Sequence, residues 1–216
     1  MAGTLSFHRN SHTRTRLGDV FASQHPFEVT NAPPGGHRRR AERSGDLQVA
    51  PAMSPKAHCA RLTTSKCVSD LSFSDEVQLL LKHYKFAAIH FNNGLHGWGY
   101  SEDQYQEGLL KFLATVKENA GDAKLIWATT TPVRERSDLQ QFGEKTERVK
   151  ARNKIAAEIM KEPDIPINDL YGLVEQNPDW HSGDGVHFNR KGKAAQAKQV
   201  AESVAKCLPA RTGDDN

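Results

Sequence analysis

The stretch FAAIHF, Phe86 to Phe91, is a short run of mainly apolar residues that ends at Asn-Asn-Gly. A continuous apolar run of this length is typical of a strand that is buried on both faces of a parallel sheet. Downstream, Ser101 and Gln104 have the spacing of a capping box, which predicts the start of a helix. A second buried strand, KLIWATTT (Lys124 to Thr131), follows that helix. The order strand, helix, strand indicates a parallel pair.

The same alternation extends in both directions from this centre. HCARL and IPIND have the length of short strands, and three further segments have helical periodicity. Alternating strands and helices build a parallel sheet with helices on both faces, so the chain is predicted to be an α/β protein. In such sheets the active groups lie at the carboxyl ends of the strands. The predicted strands are His58 to Leu62 and Ile165 to Asp169, and the predicted helices run from Ser74 to about His83, from about Glu144 to Lys161 and onward from about Lys191.

The composition changes sharply near residue 55. Residues 1–54 contain seven Arg, no Lys and four acidic residues, and the first Lys and Ile are Lys56 and Ile89. We therefore divide the chain into residues 1–54, a domain at 55–210 and a tail at 211–216. The first segment is interpreted either as a disordered Arg/Pro/Ser-rich tail or as a coding region read in the wrong frame.

Bulk properties exclude several classes of protein. The 216 residues fit one domain. Residues 55–216 carry 22 basic and 22 acidic residues, which does not indicate a nucleic-acid surface. No apolar run is long enough to span a bilayer, and no signal-peptide core is present, so a cytoplasmic location is expected for the chain as written, with export open if its natural start differs. Three cysteines argue against a disulfide framework. No cofactor is predicted, and the oligomeric state is left open.

The segment GDGVHFNRKG, Gly183 to Gly192, places Asp184 and His187 three residues apart before a predicted helix. An imidazole can take a proton from a hydroxyl nucleophile when a carboxylate fixes its tautomer. Two other interpretations stay open. Asp184 could cap the helix beside a surface histidine, or His181, Asp184 and His187 could bind a metal ion.

The loop NNGLHGWGY, Asn92 to Tyr100, follows the first buried strand. Gly94 would let backbone N–H groups approach a ligand closely, and Asn92 and His96 add polar groups beside it. Such donors can stabilise an oxyanion. The alternative is an ordinary Gly-Asn turn between strand and helix.

In this order, the segments from Lys56 to Leu208 resemble the SGNH, or GDSL-type, hydrolase family. The resemblance implies a flavodoxin-like fold, with His187 as general base and Asp184 as its orienting residue. It places NNGLHGW at the family's Gly-x-Asn-Asp block, where Gly94 matches but His96 replaces the Asn. The stretches TTTP (Thr129 to Pro132) and NDLY (Asn168 to Tyr171) are similar to those of carbohydrate-esterase-like members. The implied substrates are therefore esters, such as acetyl groups on a carbohydrate.

The family's first block, an apolar strand ending in Gly-Asp-Ser, is missing. Gly45-Asp46-Leu47 and Gly18-Asp19-Val20 both lack the serine. The predicted fold is thus a flavodoxin-like three-layer α/β/α domain whose first, central strand is missing or degenerate. The nucleophile is unassigned, since none of the substitutes follows the strand-and-sharp-turn pattern that exposes a nucleophile; they are Ser44, Ser54 and Ser65.

Three hypotheses follow. The first is an ester hydrolase that is inactive as written. The second is a non-catalytic relative that binds a carbohydrate or an acyl ligand. The third is that the Arg-rich segment is genuine and binds nucleic acid or an acidic partner.

Overall fold

The computed structural model describes residues 19–22, 58–60, 62 and 64–208. Five strands form one sheet in the order β2-β1-β3-β4-β5, and every neighbouring pair is parallel. This is the strand order of flavodoxin-like folds, so the predicted fold class is confirmed. The strands are β1 Asp19–Ala22, β2 His58–Ala60, β3 Ala88–Phe91, β4 Lys124–Ala128 and β5 Ile167–Asn168.

The central strand is the one that the sequence predicted to be missing or degenerate, and it is short. The central strand is present as four residues, with Val20 opposite both Cys59 of β2 and Ala88 of β3. It is short but not missing, because a gap here would leave the backbone groups of β2 and β3 unpaired. The predictions for the rest of 1–54 and for 211–216 lie outside the described residues.

The four predicted helices are present, one of them with a shifted start, and a further short helix after β5 was not predicted. The first helix begins at Leu71 rather than at Ser74, and this places Phe73 on the same buried face as Val77 and Leu81. The capping box of Ser101 and Gln104 is confirmed, because both reciprocal hydrogen bonds form. The helices are α1 Leu71–His83, α2 Glu102–Asn119, α3 Lys145–Lys161, α4 Leu170–Glu175 and α5 Arg190–Ala205, with a 3-10 turn at Pro178–Trp180.

Each face of the sheet has its own apolar core. Ile89 and Trp127 pack with residues of α1, α2 and α3 on one face, whereas Ala88 and Ile126 pack with residues of α4 and α5 on the other. Neighbouring residues of a strand point to opposite faces, so the nearly continuous apolar strands serve both cores. Among the described helices, none is long and apolar enough to cross a membrane.

Candidate active site

The parallel arrangement brings the loops after β2, β3 and β4 to one edge of the sheet. In sheets of this strand order, ligands bind outside the carboxyl ends of the strands at the point where the strand order reverses, which here lies between β1 and β3. The segment before α5 lies at the same edge, because the Arg134 backbone N–H, in the loop after β4, donates a 2.7 Å hydrogen bond to the carbonyl of Gly185. The predicted acid–histidine pair therefore lies beside the loops that carry the other candidate residues.

Asp184 and His187 form a hydrogen-bonded pair. His187 Nδ1 lies 2.6 Å from Asp184 Oδ2, and Asp184 Oδ1 accepts the backbone N–H groups of Val186 at 2.9 Å and of His187 at 2.8 Å. The side chains of His187 and Asp184 are 48% and 45% exposed, so the pair is accessible from solvent. The turn thus orients the carboxylate, and the carboxylate orients the imidazole.

The protonation state of Asp184 follows from these contacts. Partial burial raises the pKa of Asp184, but hydrogen bonds from the His187 ring, two backbone N–H groups and the Ser182 hydroxyl outweigh it, and the net pKa lies well below the usual range. The ionised carboxylate of Asp184 accepts a hydrogen bond from the N–H at Nδ1 of His187. The basic lone pair of the neutral ring is then on Nε2.

The two alternative interpretations of this motif are not supported. The helix-cap interpretation is wrong, since the N-cap of α5 is Asn189, whose side-chain oxygen accepts the N–H groups of Lys191 and Gly192. His181 is buried, with Nε2 at 3.3 Å from the carbonyl of Pro132 and its ring against Phe188. No group of three or more potential metal ligands occurs in the part of the chain that the structure describes.

Asn92 joins the loops that follow β3 and β4. Its amide nitrogen donates to the carbonyl of Ala128 at 2.7 Å and to the hydroxyl of Thr130 at 3.0 Å. Both hydrogens of the Asn92 amide can be used in these two bonds. Asn92 therefore holds the loop after β3 against the loop after β4.

Gly94 and His96 occupy the loop after β3. Gly94 is buried, and a Cβ atom there would lie 2.1 Å from Thr130 Oγ1, so this position requires glycine. His96 is half-buried; burial lowers the pKa of its ring, and the charge of Asp70 opposes this. The tight packing of this loop against Thr130 explains why position 94 carries glycine.

Replacing Gly94 by alanine is expected to destabilise the domain by about 1–3 kcal/mol, because the new methyl group overlaps Thr130. Urea denaturation measures the change in the free energy of unfolding. Gly99→Ala is the matched control in the same loop, since a Cβ atom there meets nothing within 4 Å. Adding Thr130→Ala to Gly94→Ala should restore part of the loss. Equal effects of Gly94→Ala and Gly99→Ala would contradict the assigned packing.

The TTTP and NDLY segments are hydrogen-bonded to each other. Thr129 Oγ1 donates to Asp169 Oδ1 at 2.9 Å and accepts the backbone N–H of Tyr171 at 2.7 Å. Among the substitute nucleophiles, Ser65 is exposed in the loop after β2. Ser44 and Ser54 lie outside the described residues.

Two residues that the sequence-based reasoning missed hold this edge together. Arg152 of α3 is 1% exposed, and its guanidinium donates to backbone carbonyls in the loop after β3. Asn153 makes a reciprocal pair of 2.8 Å hydrogen bonds with the backbone N–H and carbonyl of Thr130. The sequence does indicate that Arg152 is buried, because Val149, Arg152 and Ala156 have the spacing of one buried helix face. An arginine there is buried only when its donors have partners.

A five-stranded parallel sheet in the 2-1-3-4-5 order with an aspartate–histidine pair at its carboxyl edge defines a hydrolase-like α/β domain. The sequence model of the GDSL-like Lipase/Acylhydrolase family matches residues 70–195, which is more than half of the chain. The chain belongs to this family. The matched region contains Gly94, Asp184 and His187, and the members of an SGNH-type family are hydrolases of ester bonds.

Solved structures of esterases have the same fold. The chain is similar to Est24, a carbohydrate acetylesterase from Sinorhizobium meliloti (12% identity, TM-score 0.63, 88% of this chain and 99% of that chain). It is also similar to Axe2, an acetylxylan esterase from Geobacillus stearothermophilus (14% identity, TM-score 0.61, 91% and 98%). An aryl esterase of M. smegmatis has a TM-score of 0.65 at 14% identity and covers 88% and 99%. At such identities the likeness concerns the fold. A comparison with curated protein sequences gives no match.

Proposed function

We propose that the domain is built to hydrolyse short-chain acyl esters, with His187 as general base and Asp184 as its orienting residue. The observation that carries this proposal is the 2.6 Å contact between His187 Nδ1 and Asp184 Oδ2 at the carboxyl edge of the sheet. A structural histidine would gain little from an ionised partner on a half-exposed turn. A general base gains a defined tautomer and a stabilised imidazolium.

The proposed reaction has two halves. A hydroxyl nucleophile attacks the ester carbonyl carbon while its proton moves to Nε2 of His187, and the carbonyl oxygen becomes an oxyanion. Backbone N–H groups of the loop containing Gly94 are the proposed donors to that oxyanion. When the intermediate collapses, the C–O bond to the alcohol breaks and His187 returns the proton to the alcohol. Water then hydrolyses the acyl-enzyme by the same route and releases the carboxylic acid.

The proposed substrates are O-acetyl esters of carbohydrates. Support comes from two proteins of similar fold, of which one is a carbohydrate acetylesterase and the other an acetylxylan esterase. The TTTP and NDLY segments favour the same substrate class, because they are similar to those of carbohydrate-esterase-like members of the family.

The proposed reaction needs a nucleophile, and none is assigned. Because the sequence has no Gly-Asp-Ser block, we expect the chain as written to hydrolyse esters slowly or not at all. A further candidate is Ser23, which directly follows the last residue of β1 in the sequence. Ser23 itself lies outside the described residues. Its position along the chain makes it the first serine to test.

The test is hydrolysis of p-nitrophenyl acetate by the full chain and by three variants. His187→Ala removes the proposed base, Ser23→Ala removes the first nucleophile to be tested, and Ser65→Ala removes the exposed substitute serine. Turnover indistinguishable from the buffer rate is the expected result. Turnover that disappears in both His187→Ala and Ser23→Ala, but not in Ser65→Ala, would overturn the expected inactivity and identify Ser23. Turnover that persists in His187→Ala would contradict the proposed general base.

A second candidate function is favoured by the missing block itself. Without a nucleophile, the same edge would bind an acetylated oligosaccharide and release it unchanged. Calorimetric titration with acetylated xylo-oligosaccharide, followed by mass spectrometry of the recovered ligand, separates the two functions. Binding with intact acetyl groups supports the non-catalytic function, and deacetylation supports the hydrolase.

A further inference from the structure

Residues 181–188 form a tight hairpin, the acid–histidine turn, which carries the proposed general base. Its two ends are joined by an antiparallel bridge between His181 and Phe188. Inside that bridge, the backbone N–H of Ser182 donates to the carbonyl of His187 at 2.7 Å. The turn therefore has its own hydrogen bonds and can be described as one unit.

This unit is held on the loop after β4 at two points. The carbonyl of Gly185 accepts the backbone N–H of Arg134 at 2.7 Å. At the base of the turn, Nε2 of His181 lies 3.3 Å from the carbonyl oxygen of Pro132. The orientation of the acid–histidine turn relative to the edge of the sheet therefore depends on both contacts.

The contact of His181 with Pro132 defines the tautomer of the buried ring. A carbonyl oxygen only accepts hydrogen bonds, so the bond forms when Nε2 carries the hydrogen, and Nδ1 of the neutral ring is then unprotonated. The side chain of His181 is 3% exposed, its ring lies 4.5 Å from that of Phe188, and Nδ1 has no hydrogen-bond partner among the described residues. Protonation would therefore create a buried cation with a donor that lacks an acceptor, which is unfavourable.

The charges around His181 act in both directions. Burial lowers the pKa of His181, and the charge of Arg134 acts in the same direction. The carbonyls of Pro132 and Pro178 and the charge of Asp184 oppose this, and the net pKa lies below the ordinary value for histidine. The neutral ring that the geometry requires is therefore the form present at neutral pH.

We propose that His181 is a positioning residue, which in its neutral form holds the acid–histidine turn on the loop after β4 and releases it on protonation. The proposal rests on the function proposed above, because a fixed orientation of His187 has a use when this ring exchanges a proton with a reacting group. His181 is buried and does not touch the substrate. Its effect passes through the position of the turn.

The experiment measures hydrogen exchange of two backbone amides by NMR in the full-length, isotope-labelled chain. The amide of Arg134 donates to Gly185 and reports the seating of the turn, whereas the amide of Gly143 donates to the carbonyl of Val133 at 2.8 Å, within the loop itself. His181→Phe keeps a ring against Phe188 but removes the donor to Pro132. It should lower the protection factor of the Arg134 amide about tenfold relative to that of Gly143.

His181→Gln is the conservative variant, because its amide can donate to the carbonyl of Pro132 and does not titrate. Its Arg134-to-Gly143 ratio of protection factors should stay close to that of the unaltered chain at about pH 7.5. On acidification to about pH 5 the ratio should fall in the unaltered chain and stay constant in His181→Gln. His83→Phe makes the same kind of change at an exposed histidine and should leave the ratio unchanged.

Equal falls of both amides in His181→Phe would mean a general loss of stability and would overturn the proposal. If His181→Phe does not fold, the acid response decides, and a ratio that falls equally in the unaltered chain and in His181→Gln overturns the releasing role of His181.

This readout does not need ester hydrolysis, so the two proposals can fail separately. A selective fall at Arg134 in a chain without turnover supports the positioning of the turn and leaves the hydrolase function unsupported. Where turnover is measurable, His181→Phe should lower kcat by about tenfold with KM within about twofold, and His181→Gln should restore most of it. Turnover that depends on His187 but is unchanged in His181→Phe would overturn the positioning role alone.

Discussion

Gly185→Ala is expected to destabilise the domain by about 2–4 kcal/mol and to displace the Asp184–His187 pair. Gly185 has a φ of +72°, in the left-handed region that disfavours residues with a side chain. A Cβ atom there would lie 2.2 Å from the carbonyl oxygen of Arg134. This obstacle is a backbone atom, so no side-chain rotation relieves the overlap.

The loop of Arg134 has little freedom to move away. The Arg134 backbone N–H is bonded to Gly185, and its buried guanidinium donates to the carbonyls of Gln140 and Glu175. Movement of the glycine would therefore change the turn that orients Asp184. Thermal and urea denaturation measure the loss of stability, and the ring signals of His187 report the pair.

Gly183→Ala is the control for this prediction. A Cβ atom at Gly183 meets nothing within 4 Å, and its φ lies outside the left-handed region. It is two residues away in the same turn, so it separates a general effect of alanine from the specific overlap. If the two variants lose equal stability, the close approach of Gly185 to Arg134 is not what requires glycine.

Acidification from pH 6.5 to about 4 is expected to remove about 3 kcal/mol of stability through His90 alone. Burial lowers the pKa of His90 from 6.5 to about 4. Between these values the unfolded chain binds a proton on this ring and the folded chain does not. The stabilisation is complete above pH 6.5 and is lost as the pH falls toward 4.

The position of His90 explains this shift. The ring lies between β3 and α5, 1% exposed, with Nε2 at 3.0 Å from the amide nitrogen of Asn168. Asn168 also accepts a 2.8 Å hydrogen bond from Gln199 of α5. If Asn168 donates to Nε2, that nitrogen is an acceptor, and protonation of the ring would break the bond.

The measurement is the free energy of unfolding as a function of pH for the unaltered chain and for His90→Gln. The glutamine oxygen can accept the hydrogen bond from Asn168, and the variant should lose less stability on acidification. His83→Gln, at the exposed end of α1, should behave as the unaltered chain. Burial also lowers the pKa of His96 and His181, so part of the acid effect should remain. Identical pH dependence of His90→Gln and the unaltered chain would contradict the prediction.

Most helices and strands were predictable because their signals are local. The apolar runs around Ile89 and Ile126 can be buried only as central strands of a two-faced sheet. The capping box of Ser101 and Gln104 marks a helix start by itself. The start of α1 was misplaced at Ser74, since Phe73 needs the helix to begin earlier for its side chain to reach the core.

The candidate site was predictable only where its contacts are close in sequence. A spacing of three residues in a turn is enough to bring Asp184 to His187, and the two side chains lie 2.6 Å apart in the structure. The role of Asn92 depends on Thr130, which is 38 residues away, and the role of Arg152 depends on a loop more than 50 residues away.

The α/β class, the order of the elements and the aspartate–histidine pair could be predicted from the sequence alone, because periodicity and short spacings act within a few residues. The three-dimensional structure was needed to find that Asp19–Ala22 is the central strand, that Gly94 packs too closely on Thr130 for a side chain, and that Arg152 binds three carbonyls of the loop after β3. Each of these depends on packing between segments far apart in the chain, and packing at a distance leaves no local pattern of residues.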